Sequence, residues 1–174
     1  MDDTAGGGSM ERAALRDAFR RLGLDEGEVG VWAAGEAEEG TPQLARYRFL
    51  SALWPKMIDT WRHDTERNRI ARRLLAAGAN HEELIQFARA VAYDTVFSML
   101  YYLEDDGRDN CDDLPAWALV QTRADGQPTA QVLGALFEDL LGLDPSGNDG
   151  ADIVPLLPGP WVKQADRTPG DDTA

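Results

Sequence analysis

The carboxylate of Asp94 is the first candidate for chemistry, because it lies in the most apolar stretch of the chain, residues 90–103. A carboxylate buried among apolar side chains must be paired, hydrogen-bonded or protonated. We expect Asp94 to be buried and bonded to an Arg or to a Trp, Tyr or His donor from residues 41–73, which hold the densest supply of cations. Arg62, His63 and Arg69 are the first candidates. Such a carboxylate could transfer protons or bind a ligand, and a purely structural ion pair is the alternative.

A second candidate site is formed by residues 61–64, with the sequence Trp-Arg-His-Asp. The imidazole of His63 beside a carboxylate could act as a general base, and the alternative is an exposed histidine on a polar stretch of helix. Arg62, Arg69 and Arg73 follow one another at steps of seven and four residues and therefore share one helix face. They could bind phosphate or carboxylate groups, or form ion pairs with the acidic C-terminal half.

Most catalytic and metal-binding templates are absent from the sequence. It contains no GxxxxGK[ST] phosphate loop, no GxSxG elbow and no HExxH pair. With two histidines and one cysteine, neither a three-histidine metal site nor a CxxC zinc motif can form. The thiol of Cys111 lies among acidic residues, which disfavour the reactive thiolate. We therefore expect no catalytic residue, no bound metal and no cofactor.

The elements that must position these side chains are mostly helices. Apolar residues at three- and four-residue spacing predict a first helix over residues 10–22. Residues 25–40 are rich in Gly and Glu and are predicted to form a loop. A long apolar stripe then covers residues 41–75, with Thr41 as its N-cap. Pro55 cannot donate a helical hydrogen bond, which predicts a break there, either as a kink or as two helices that meet near Trp54.

The second half of the chain contains the predicted central helix. Residues 81–105 follow a capping signature at Asn80 and are apolar on every side, which is typical of a buried helix. Residues 117–123 alternate weakly and lead into a tight Asp-Gly turn, which predicts a short strand or hairpin. Thr129 is predicted to cap a last helix.

These elements predict a single domain. We expect an all-α or α-dominated bundle of four to five helices, with one short strand or hairpin near residues 117–128. Residues 10–162 would form this helical domain. Residues 1–9 are predicted to be a disordered leader and residues 163–174 a disordered tail.

Composition restricts the class of function. The net charge of −14 disfavours binding to nucleic acid or anionic membranes and favours a basic protein partner. The chain shows neither a secretory signal nor an apolar run long enough to cross a membrane, and a single cysteine fits a reducing compartment. We therefore expect a cytoplasmic protein. Arginine far outnumbers lysine, which occurs only as Lys56 and Lys163, a bias typical of GC-rich bacterial genomes.

These features favour a small acidic bacterial protein that acts by protein–protein contact, as a partner, adaptor or inhibitor. Immunity proteins and antitoxins that neutralise basic nucleases are one such class, by analogy of charge and size alone. The alternative is an enzyme or small-ligand-binding protein with a pocket between residues 41–73 and the central helix. Asp94, Trp61, His63 and Arg62 would line that pocket.

Overall fold

A computed structural model of the chain describes residues 5–64, 67–104, 116–148 and 150–153. Predictions made for residues 1–4, Cys111 and the tail at 163–174 lie outside these ranges. The α-dominated fold with one short hairpin is confirmed. The elements are α1 (Ala5–Arg21), α2 (Glu26–Glu39), α3 (Gln43–Leu53), a π-helical turn (Trp54–Ile58), α4 (Trp61–Asp64), α5 (Arg69–Ala76), α6 (His81–Glu104), β1 (Val120–Thr122), β2 (Pro128–Val132), α7 (Leu136–Asp139) and a 3-10 turn (Leu141–Leu143).

Helix α2 occupies the segment that the sequence predicts to be a loop, residues 25–40, so that prediction is wrong. A complete capping box starts the helix: Asp25 Oδ1 accepts hydrogen bonds from the backbone of Gly27 and Glu28, and Glu28 Oε2 accepts one from the backbone of Asp25. Gly40 ends it with φ of 68°. The caps satisfy terminal backbone groups and compensate for the low helix propensity of glycine.

A small aromatic cluster holds α1 and α2 against α3. Phe19 of α1 is fully buried, and its ring centroid lies 6.3 Å from Trp32 of α2 and 6.0 Å from Tyr47 of α3. Trp32 and Tyr47 meet edge to face at 5.5 Å. Because each ring comes from a different helix, this cluster fixes how the three helices pack.

The break predicted at Pro55 is confirmed, and its form is a π-helical turn. Helix α3 ends at Leu53, and the backbone N–H of Asp59 donates to Trp54 O at 2.8 Å across the turn. Pro55 has no backbone N–H to donate to the preceding turn, and the wider π-helical turn accommodates this missing hydrogen bond. The start of α3 differs from the prediction, since Pro42 rather than Thr41 is the N-cap and no side chain caps the helix.

The main core lies between α3, the π-helical turn, α6 and the C-terminal elements. Two polar contacts connect these parts. The buried Trp54 donates from Nε1 to Leu140 O at 3.0 Å, and the buried Arg46 donates from Nη2 to Asp139 Oδ2 at 2.5 Å and to Ala135 O at 3.1 Å. Both side chains thereby hold α7 and the turn after it against the N-terminal half.

Helix α6 is central in sequence but is buried on one side only. Asn80 caps it as predicted, accepting backbone hydrogen bonds through Oδ1 from Glu82 and Glu83. Its core face includes Tyr93 and Phe97, yet several apolar side chains on another face are exposed. The prediction of a helix buried on every side is therefore wrong. None of the helices in the described ranges is long and apolar enough to cross a membrane.

The predicted hairpin is confirmed, but Thr129 does not cap a helix. Strands β1 and β2 pair antiparallel, with Val120 opposite Val132 and Thr122 opposite Pro128, so the register shifts between the two pairs. Residues 128–132 begin with a proline and contain two β-branched residues, which suit an edge strand. The helix after them is the short α7.

Candidate functional site

An apolar groove of about 730 Å³ lies between α6 and the segment from α3 to α5. Helix α6 lines it with residues at three- and four-residue spacing, from Leu84 to Leu103, which share one helix face. Asn68 and Thr95 supply the polar side chains among its described lining. The remaining lining residues are Phe49, Leu53, Met57, Trp61, Ile70, Ala71, Leu74, Leu84, Phe87, Ala88, Val91, Ala92, Val96, Met99, Leu100 and Leu103.

Small side chains give the groove its depth. Ala88 and Ala92 of α6 and Ala71 of α5 lie among the lining residues, where larger side chains would fill the space between the two helices. Leu100 and Val96 form part of the buried floor. The groove is therefore a surface extension of the main core that no described element covers.

The edges of the groove expose large apolar side chains to solvent. Phe87 is 63% exposed, Met99 59% and Val91 50%, and all three lie on α6. Across the groove, Met57 and Ile70 are also exposed. Single apolar residues on a surface are ordinary, but a contiguous apolar patch marks a binding surface or an aggregation liability.

Trp61 is the one predicted site residue among the described residues that line the groove, where it is half-buried. Its neighbour Arg62 is exposed and donates from Nε to Asp59 Oδ1 at 3.3 Å. His63 is exposed and lies outside the lining. The groove thus occupies the predicted position between residues 41–73 and the central helix, with an apolar lining in place of the predicted polar one.

Two of the predicted arginines lie beside the groove. Arg69 and Arg73 are exposed on α5, next in sequence to the lining residues Ile70 and Leu74. Neither side chain forms an ion pair or hydrogen bond with any residue that the structure describes. The α5 edge of the groove is consequently positively charged.

Asp94 is half-buried, not buried, and the predicted bond to Arg62, His63 or Arg69 is not formed. Its position on α6 lies outside the groove lining. Its charge acts on the adjacent Tyr93: burial, and to a smaller extent the Asp94 carboxylate, raises the pKa of the Tyr93 hydroxyl to about 12. Both effects disfavour a phenolate, so Tyr93 stays protonated at neutral pH.

The buried charge on α6 is Arg89, which the sequence reasoning missed. Its side chain is 1% exposed, and it donates from Nε to Asp59 Oδ1 at 2.7 Å and from Nη1 to Asp152 Oδ2. A signal was available in the sequence, since Arg89 is the only Lys or Arg in residues 81–104. A single cation in an apolar helix indicates a paired, buried charge.

The groove is chemically suited to apolar contact with another molecule. Among the described residues, the groove lining contains no acidic, basic, His or Cys side chain, and the same part of the chain contains no cluster of three His, Cys, Asp or Glu residues that could hold a metal ion. Its exposed apolar edges can bury surface against another molecule. Comparison of the chain with protein-family models, with curated proteins and with solved structures found no match.

Proposed function

We propose that this protein is a non-enzymatic binding protein whose apolar groove receives an amphipathic helix of a partner protein. The exposed, contiguous apolar lining of the groove is the observation that carries the proposal. Burying such a patch removes apolar surface from water at about 25 cal/mol per Å², which is the main driving force of helix-in-groove recognition.

The length of the groove favours a helical occupant. Lining residues on α6 extend from Leu84 to Leu103. At 1.5 Å per residue this distance is roughly 28 Å, or about five turns of a partner helix. A partner helix would place residues at three- and four-residue spacing along this length.

The charge at the groove edge favours an acidic partner helix. Arg69 and Arg73 are exposed and unpaired within the described ranges, and they flank Ile70 and Leu74. Glu or Asp residues beside the apolar face of the partner would complement these two arginines at close range and favour one orientation of the helix in the groove. The acidic remainder of the molecule, with its net charge of −14, would in turn repel anionic membranes. A cytoplasmic setting for this contact fits the single cysteine.

The test uses a labelled amphipathic peptide of about 18 residues, the length of five helical turns, with Leu at helical spacing and Glu along the edges. Fluorescence anisotropy should detect 1:1 binding by the intact chain that weakens at high salt. Val91→Asp should weaken binding at least tenfold, or ~1.4 kcal/mol, since it buries a charge in the interface. The matched control is Val31→Asp, which changes an exposed valine of α2 outside the groove and should leave binding unchanged.

Other occupants would give different results. A peptide of the same composition in scrambled order, or one with Lys in place of Glu, should bind much more weakly, and equal binding would contradict the proposal. Binding to anionic vesicles that Val91→Asp abolishes would identify a membrane surface instead. A dimer that the same substitution dissociates would identify a second copy of the chain. Trp161 lies in the C-terminal segment of the chain. If the chain binds the peptide only after Trp161→Asp, the natural occupant of the groove is this segment and not a partner protein.

A further inference from the structure

A second cavity of about 860 Å³ adjoins the apolar groove, and Phe49, Leu53 and Met57 line both. It lies between the end of α1, the outer side of α3 with the π-helical turn, and the hairpin segment around β1. This volume falls within the range of small-molecule sites, about 300–1,000 Å³.

Three cations from three different elements line this second cavity. Arg21 ends α1, Arg48 lies on α3 and Lys56 lies in the π-helical turn. No carboxylate is among the described residues that line the cavity. Because each cation belongs to a separate element, tertiary packing and not local sequence brings them to one cavity.

These three cations have no acidic partner among the described residues, unlike Arg20 and Arg46. Arg21, Arg48 and Lys56 form no side-chain ion pair or hydrogen bond with any residue in the described ranges. Arg20, beside Arg21, pairs with two acidic residues, and the buried Arg46 pairs with one. In a chain with 31 acidic and 17 basic residues, three cations that have no acidic partner among the described residues give this cavity a local positive charge that can attract an anion.

The rest of the lining is mostly apolar. Leu22, Leu119 and Leu133 lie among the lining residues together with the side chains shared with the groove. Gln121 also lines the cavity, and its Oε1 is buried without a hydrogen-bond partner in the described part of the chain. A half-turn of this amide would present Nε2, a donor, at the same position.

We propose that this cavity binds an amphiphilic anion, with an apolar body against the leucines and a carboxylate or phosphate group held by Arg21, Arg48 and Lys56. Arginine and lysine both bind these groups, arginine through a planar fork and lysine as a point charge. The proposal concerns a small ligand and does not depend on the partner helix proposed for the groove.

Isothermal titration calorimetry of the intact chain tests this assignment with four probes at monomeric concentrations. Dodecanoate and dodecyl phosphate carry both features of the ligand, dodecanol only the apolar chain, and inorganic phosphate only the anion. We expect 1:1 binding of at least one of the two amphiphilic anions, and the tighter of them indicates the headgroup. Dodecanol and inorganic phosphate should each bind at least about tenfold more weakly, since each lacks one half of the interaction.

Variants of the cations decide whether the cavity is the site. Arg21→Gln, Arg48→Gln and Lys56→Gln should each weaken binding by a factor of about two to five, the range for exposed ion pairs. The triple variant should weaken it more than about tenfold if the three effects add. Arg123→Gln, which removes an exposed cation of the hairpin outside the cavity, is the matched control.

Three results would overturn the proposal. The first is dodecanol binding as tightly as dodecanoate and dodecyl phosphate. The second is unchanged binding in the triple variant, provided that its thermal unfolding matches that of the wild type. The third is loss of amphiphile binding in Val91→Asp but not in Arg48→Gln, which would place the ligand in the apolar groove.

Discussion

Arg89 Nε lies 2.7 Å from Asp59 Oδ1, so a guanidinium that is 1% exposed is paired across the interface of α6 with the end of the π-helical turn. The same guanidinium donates from Nη1 to Asp152. Removing a charge from water is unfavourable, and these two carboxylates compensate for it. One side chain therefore connects α6, the residue after the π-helical turn and the C-terminal turn of the described chain.

Arg89→Ala should lower the free energy of unfolding by about 3–5 kcal/mol, because two carboxylates in the fold lose their buried partner. Urea denaturation followed by circular dichroism measures this loss. Arg72→Ala, an exposed arginine of α5, is the control and should change stability by less than about 0.5 kcal/mol. Equal small losses in both variants would mean that the buried pair contributes nothing to stability.

Leu100 and Met99 are consecutive residues of α6 with opposite environments. Leu100 is 4% exposed and belongs to the main core, whereas Met99 lies at the exposed edge of the groove. Leu100→Ala should cost about 2–5 kcal/mol in the free energy of unfolding, and Met99→Ala less than about 0.5 kcal/mol. The same denaturation experiment compares them. A large loss in Met99→Ala would show that the groove is closed in solution.

Local signals account for the parts of the fold that the sequence predicts. The bounds of α6, His81–Glu104, agree with the predicted 81–105 because the Asn80 cap and a long apolar pattern mark them. The break at Pro55 follows from the chemistry of proline. The Asp125-Gly126 turn is found, with Gly126 at φ of 83°. Each of these depends on a few neighbouring residues.

Helix α2 shows how composition can outweigh a capping signal. Asp25 and Glu28 have the spacing of a capping box, but the glycines between residues 25 and 40 favour a loop prediction. Contacts of Trp32 with Phe19 and Tyr47 stabilise the helix from outside its own sequence. Distant residues supply those contacts, so a window of sequence does not contain them.

A pocket between residues 41–73 and α6 is only the alternative interpretation of the sequence, and its predicted lining differs from the apolar lining of the groove. Helix α6 carries apolar residues on all of its sides, so the sequence does not distinguish the side that packs against the core from the side that stays exposed. The apolar pattern predicts that Asp94 lies on the buried side of α6, whereas Arg89, five residues earlier, is the charged residue buried there. Asp59 and Asp152 stabilise the buried Arg89 by pairing with it, and these two residues approach α6 only in the folded chain.

Asp94→Ala should change the free energy of unfolding by less than about 1 kcal/mol, in contrast to Arg89→Ala. The Asp94 side chain is half-buried and has no ion-pair or hydrogen-bond partner in the described ranges, so its removal leaves no buried charge uncompensated. Spectrophotometric titration adds a second readout, since removal of the Asp94 charge should lower the pKa of Tyr93. A loss above about 3 kcal/mol would reveal a buried partner.

Asp144 gives the fold a pH dependence in the acid range. Its buried carboxylate accepts hydrogen bonds from Ser146 N, Ser146 Oγ and Gly150 N, at 2.9, 2.8 and 3.0 Å. Burial alone would raise the pKa of Asp144, but these hydrogen bonds, with a smaller effect of Arg89, hold it below its ordinary value. A carboxyl group of this kind stabilises the folded state above its ordinary pKa, and the stabilisation is lost as the pH falls through the folded value.

Asp144→Asn should therefore cost about 1–3 kcal/mol near pH 7, because the amide nitrogen cannot accept the bonds that one carboxylate oxygen now receives. The difference from wild type should shrink as the pH falls below about 4, the ordinary pKa at which this carboxyl binds a proton in the unfolded chain, and on towards the lower folded value. Urea denaturation of both proteins at several pH values between about 3 and 7 measures this difference, because the m-value converts a shift of the midpoint into a free energy of unfolding. Asp125→Asn, at an exposed turn, should show no such trend, and a constant Asp144→Asn difference across this range would contradict the assigned role.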